Sequence, residues 1–240
     1  MSRKNENVLI IFTKAPRLGH VKTRLQPELT QEESLTLYRA MVEDTVSQFE
    51  NVGFCDLKIF FHPEHAEDGM KHWLGDQFEY IAQRGVDLGE RMYHAISEVL
   101  KQGYRKVVLI RCDIPTLDST TIVRAFTNLD DYNVVIGPSQ DGGYYLIGMK
   151  QPHPKLFDGI IWSTSFIVQQ TIQNAQEARL DIVQLEIKSD IDTYDEVVEL
   201  WKYLQKRNQK GGFTYKSKTY EVLKRLFEKE YALDDESQTR

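Results

Sequence analysis

The stretch VLIIFTKAPRLGHVKTR, residues 8–24, governs how the whole chain is read. Val8 to Phe12 is a continuous apolar run, the pattern of a strand covered on both faces. After Thr13 the composition turns basic. Lys14, Arg17, Lys22 and Arg24 are cationic, and no acidic residue occurs from Asn7 to Pro27. In an open α/β sheet, ligands sit at the carboxyl ends of strands. A basic loop in that place can neutralise a polyphosphate with ammonium groups, a guanidinium fork and backbone amides. Pro16 stiffens the turn and Gly19 permits close backbone approach. The loop lacks the glycine spacing and the Gly-Lys-Ser/Thr ending of a Walker loop. A solvated basic loop is the competing reading of the same residues.

Outward from this stretch, strand and helix patterns alternate. Thr30 opens a capping box with Glu33, and the helix behind it places Leu35, Tyr38, Met41, Val42, Thr45 and Phe49 on one stripe. Strands are expected at 57–61, 78–82, 106–110, 134–137, 144–149 and 182–187. Helices are expected at 88–102, 119–129, 165–178 and 193–207. The alternation predicts an α/β fold with a largely parallel central sheet. Gly211-Gly212 reads as a break, followed by a helix over 220–231 and an acidic end that frays. The expected organisation is therefore a domain over 1–208 and a helical appendage with its tail over 209–240.

The 240 residues suit one large domain, and the net charge of −6 argues against a general nucleic-acid binder. Cys55 and Cys112 have no paired spacing, which fits a reducing compartment and excludes a disulfide framework. No apolar run reaches the ~18 residues of a membrane span, and the first run is too short for a signal-peptide core. A cytoplasmic protein with no membrane partner is expected. His62, His65 and His72 match no zinc spacing, and no Gly-x-Ser-x-Gly elbow is present.

Carboxylates stand at two strand ends. Asp113 follows the strand over 106–110, and Asp192 lies between the strand over 182–187 and the next helix. Carboxylates from separate strand ends can share a hard cation, Mg²⁺ or Mn²⁺, with phosphate oxygens completing its shell. Asp192 also reads as a helix N-cap, and Asp113 as a turn aspartate. Gln83 offers an amide that can read a base edge, with Gly85 and Gly89 letting backbone lie against a flat base; a capped strand-to-helix turn with Asp87 is the alternative. Asp141-Gly142-Gly143 reads as a hairpin turn, and Trp162 as a buried ring before a helix.

Several of these segments together resemble an uncharacterised bacterial family of nucleotide-diphospho-sugar-transferase-like proteins, named for its association with radical-SAM and selenoprotein genes. The resemblance runs through Phe12–Leu25, Gly85–Met92, Asp113-Ile114-Pro115, Gly137–Gly148, Trp162-Ser163-Thr164 and Asp190–Thr193. It implies the glycosyltransferase-A type fold, a three-layer α/β/α arrangement with a mostly parallel mixed sheet. It implies phosphate binding by Lys14, Gly19, Lys22, Thr23 and Arg24, and a base facing Gln83, Gly85 and Gly89. It places Asp141, Gly142, Gly143 and Trp162 at the sugar or acceptor, and favours Asp113 and Asp192 as the metal pair, with Asp190 behind them. Where the family usually carries glycine two residues before that aspartate, this chain has Arg111.

A metal-dependent transferase is the expected function, with Lys22, Asp113 and Asp192 at the chemistry. Its donor would be a nucleoside triphosphate, for nucleotidyl transfer, or a nucleotide sugar, for glycosyl transfer; its acceptor would be a small molecule. The charge of the basic loop leans toward the triphosphate. A catalytically inactive nucleotide-binding regulatory module is the alternative, with Arg111 in its favour. The C-terminal helix is expected to serve a homodimer or lid packing.

Overall fold

The computed structural model describes residues 5–209 and 217–238. Gly211-Gly212, expected as a break, lies outside the described residues. Two compact units emerge: Met1–Ala15 with Val46–Asp190, and Pro16–Thr45 with Ile191–Arg240.

The first unit holds the sheet. Its strands among the described residues are β1 (Asn7–Lys14), β2 (Asp56–His62), β3 (Glu79–Ala82), β4 (Lys106–Arg111), β5 (Val134–Pro138), β6 (Tyr144–Met149) and β7 (Ile182–Gln184). They line up as β3-β2-β1-β4-β6-β5-β7. All neighbours are parallel except β6, which runs antiparallel to both β4 and β5. This is the mixed, mostly parallel α/β sheet that the alternating pattern predicts. The apolar run of β1 behaves as read: Val8 through Ile11 are fully buried, because helices cover both sides of the sheet.

Period-2 alternation divides those faces. Val8, Ile10, Phe12, Val107 and Leu109 pack with Met92, Ile96 and Val99 of α3 (Leu88–Lys101) and Ile167 of α5 (Ile167–Glu177). On the other face Gly148 leaves no slack: a Cβ there would stand 3.2 Å from the Val108 side chain and 3.4 Å from Leu129. Leu129 belongs to α4 (Ser119–Asp131). One short helix, α2 (Glu67–Leu74), escaped the sequence reading; Met70, Trp73 and Leu74 share one side, but eight residues carry little more than two turns of pattern. The strand expected over 182–187 is shorter, yet the chain stays beside β5, with the Leu185 and Lys188 amides donating to Ile136 and Pro138. That guides residues 185–190 along the carboxyl end of β5.

The second unit is helical. The expected capping box is present: Glu33 N–H donates to Thr30 Oγ1 at 3.1 Å, and Thr30 N–H to Glu33 Oε2 at 3.0 Å. In α1 (Gln31–Phe49), Leu37 rather than Leu35 is fully buried, so the stripe sits slightly further round the helix than expected. α6 (Tyr194–Gln209) and α7 (Lys218–Gln238) share a core with α1 through Leu37, Met41, Leu200, Trp201, Leu223 and Phe227. Trp201 and Phe227 stack with centroids 5.5 Å apart. The start of α7 is tied down by Asp44, which accepts from Ser217 Oγ and from the Lys218 and Thr219 amides at 2.6–2.8 Å. No glycine or proline interrupts α7, and it continues past Tyr231 into the acidic end expected to fray.

Candidate active site

Lys14 is exposed at the end of β1, opposite His62 at the end of β2. The ordinary protonation of His62 is pushed down by burial, and further by the positive charges of Arg91, Lys14 and His65. A positive field therefore gathers at this sheet edge, which is where an anionic ligand of a parallel α/β sheet is received.

In the helical unit, the rest of the basic loop makes a compact ion-paired turn. Gly19 has φ of +74°, a left-handed conformation, and faces the Gln31 side chain. Lys22 is also left-handed at φ 47°, a strained state for a residue with a Cβ. Its ammonium donates to Asp192 Oδ1 at 2.7 Å and is nearly buried, at 5% exposure. Arg24 lies 3.6 Å from the other oxygen of Asp192 but is 66% exposed. Thr23 is exposed at the first position of a single 3₁₀ turn, Thr23–Leu25. The cap reading of Asp192 is not what is found. The Asp192 and Thr193 amides both donate to Glu196 Oε2 at 2.7 Å, so Glu196 closes the start of α6 and the Asp192 carboxylate turns to Lys22.

At the carboxyl end of β4 the sheet unit has its own charge cluster. Arg111 ends the strand and Asp113 stands two residues on, so both side chains project on one side of the extended chain. Arg111 Nη2 lies 2.6 Å from Asp113 Oδ2 and 3.4 Å from Asp190 Oδ2. Asp113 is 8% exposed and Asp190 1%. The two carboxylates approach within 4.8 Å, a hard-oxygen donor set of the kind that holds Mg²⁺ or Mn²⁺. Asp190, placed second in the sequence reading, is the carboxylate that joins Asp113 in this unit. Among the described residues, no histidine or cysteine enters a metal-ligand group.

The turn before α3 is built tightly. A Cβ on Gly85, at φ +139°, would lie 2.7 Å from Arg91 N, so only glycine fits. Asp87 caps α3 by accepting from Glu90 N–H at 2.8 Å, and Glu90 accepts from Val86 N–H at 3.0 Å. Gln83 donates its amide nitrogen to the Phe60 and Thr13 carbonyls, at 2.9 and 3.1 Å. That fixes the orientation of the amide group. The indole of Trp162 lies so close against Gly89 that a Cβ there would collide with its ring. Gly89 and Trp162, assigned to base and acceptor separately, are thus brought into contact.

The turn after β5 is the expected hairpin, bridging antiparallel β5 and β6. Asp141 Oδ1 accepts from Ser139 Oγ at 2.6 Å and from Gly143 N–H at 2.9 Å. Gly142, at φ +85°, faces the Ser165 backbone so closely that a Cβ would collide with its carbonyl. The turn is thereby docked on the approach to α5, and Val168 N–H donates to the Gly142 carbonyl at 3.0 Å.

Residues 45–164 match the model of a family described as uncharacterized protein conserved in bacteria, DUF2064. The chain belongs to the DUF2064 family. A crystal structure from Desulfovibrio desulfuricans G20, described as a candidate nucleotide-diphospho-sugar transferase, is similar to this DUF2064 chain with a TM-score of 0.83 and 36% identity. The similarity covers 92% of this chain and 95% of that one. The 2-phospho-L-lactate guanylyltransferase of Methanosphaera stadtmanae is 23% identical over 193 residues, covering 73% of this chain and 75% of the relative. That of Methanoculleus marisnigri is 26% identical over 180 residues, covering 75% of each. On these likenesses this DUF2064 protein is a transferase with the nucleotide-diphospho-sugar transferase type of fold.

One neighbour of Lys14 at the strand ends went unread in the sequence. His62 could have been found from its position at a strand end beside the first basic residue. No helix among the described residues is long and apolar enough to cross a membrane.

Proposed function

We propose that this protein is a nucleotidyltransferase that couples a nucleoside triphosphate, with GTP the first candidate, to a small phosphorylated acceptor. The likeness to guanylyltransferases along about three-quarters of the chain carries this reading. An acceptor phosphate oxygen attacks the α-phosphorus, the bond to the β-phosphate breaks, and pyrophosphate leaves.

Lys14, Lys22 and Arg24 supply cations to the phosphates, and the turn at Gly19 and Thr23 supplies backbone amides. Gln83 accepts from the base with its remaining oxygen, which suits the N1–H and N2–H donors of guanine. Gly85 and Gly89 act by shaping the turn beneath it. Asp141, Gly142 and Gly143 shape the floor on the acceptor side, and Trp162 walls it. Asp113 with Asp190, and Asp192 two residues on along the chain, are the oxygen donors for Mg²⁺ or Mn²⁺, which would offset charge on the leaving pyrophosphate.

Glycosyl transfer from a nucleotide sugar is the second reading, favoured by the description of the Desulfovibrio relative. A thermal-shift panel separates the two. Stabilisation by GTP with Mg²⁺, with pyrophosphate released once a phosphorylated acceptor is added, is the expected result. Stabilisation by nucleotide sugars alone would replace the reading with glycosyl transfer.

A further inference from the structure

The Arg111 guanidinium lies between two of the carboxylates best suited to a divalent ion. One nitrogen, Nη2, faces Asp113 at 2.6 Å and Asp190 at 3.4 Å. Both carboxylates are almost out of water, with side chains 11% and 2% exposed, whereas Arg111 keeps 32%. Two such carboxylates repel one another unless a cation stands between them. Arg111 is tethered two residues from Asp113, so its local concentration greatly exceeds that of any free ion. A guanidinium nitrogen cannot be displaced by Mg²⁺ or Mn²⁺ without moving, because the ion needs oxygens at about 2.0–2.2 Å.

We propose that Arg111 is a built-in counter-cation that holds the Asp113–Asp190 pair closed to divalent ions until an anionic ligand draws the guanidinium away. The partly exposed head of Arg111 can turn to a phosphate, since guanidinium binds phosphate oxygens as well as carboxylates. Metal entry is then coupled to arrival of the nucleotide phosphates. The proposal makes Arg111 a positioning residue, and it rests on the reading of this sheet end as a metal-assisted nucleotide site.

The test uses Mn²⁺ alone, followed by electron paramagnetic resonance on the full chain without nucleotide. The expected result is weak uptake by the parent protein, and uptake of one equivalent at least tenfold tighter in Arg111→Gly. Arg111→Gln, which keeps most of the stem and removes the charge, should behave as Arg111→Gly does and serves if the glycine variant folds poorly. Adding Asp190→Asn to either variant should abolish the gain. Equal Mn²⁺ affinity in parent and variants would overturn the proposal, as would no uptake by any of them. Because the probe is metal without nucleotide, failure of the transfer assay would leave this result readable.

Discussion

Asp113 and Asp192 read alike in the sequence, yet each is neutralised differently. In the sheet unit, Asp113 meets a cation from its own strand end, two residues away. In the helical unit, Asp192 meets Lys22 from 170 residues away, with Arg24 near its other oxygen. The first pairing follows from the pleat of an extended chain and needs β4 in place. The second needs the loop and the start of α6 to be brought together by the packing of α1, α6 and α7. Local cations are thus set by secondary structure, and distant ones by the core that holds their unit. Lys22 itself stands in a left-handed conformation, a cost of order 1–3 kcal/mol that surrounding contacts must offset.

Removing a carboxylate from the first cluster should have the largest effect. Asp113→Asn is expected to lower pyrophosphate release by at least ~100-fold, because several kcal/mol of charge stabilisation at the leaving group is lost. The melting temperature should stay near the parent value, since an amide fills the same volume and Arg111 retains Asp190. Turnover within a few-fold of the parent would remove Asp113 from the chemistry.

The second cluster should respond less, and unequally. Lys22→Ala is expected to weaken nucleotide binding by about 1–3 kcal/mol, measured by calorimetry. Arg24→Ala should cost under about 1 kcal/mol, because an exposed guanidinium is solvent-screened. Equal losses in the two variants would mean that burial of the ammonium does not set its weight.

The smallest signal asks which region receives the phosphates. His62 is held below the usual histidine value by burial and then by the positive charges near it. Phosphates bound at the ends of β1 and β2 would offset Arg91 and Lys14 and raise that pKa. A titration of the His62 ring by NMR, with and without GTP, should show the rise. No movement on GTP binding would place the phosphates with the Gly19–Arg24 turn alone.

Much of the architecture was legible because its signals are local. The apolar run of β1, the Thr30–Glu33 capping box, the Asp87 cap and the hairpin glycines each act within a few residues. The stripe of α1 slipped because Leu35 and Leu37 both border the apolar face, and only packing against α6 and α7 selects Leu37. Likewise the helix over Lys218–Gln238, read as an appendage, places Leu223 and Phe227 in a core shared with α1 and α6; its periodicity marks those residues as one apolar side but does not name their partner.

Residue order alone establishes an α/β chain with a basic loop after its first strand and carboxylates at later strand ends. Periodicity and strand-end position are properties of neighbouring residues, and they survive without a partner. What the distant charges and rings face was settled in three dimensions: Arg111 toward Asp190, Lys22 on Asp192, the Gln83 amide tied to Thr13 and Phe60, Trp162 on Gly89. Electrostatic and steric partners are chosen by distance in space, and residues far apart along the chain carry no record of that distance in their order.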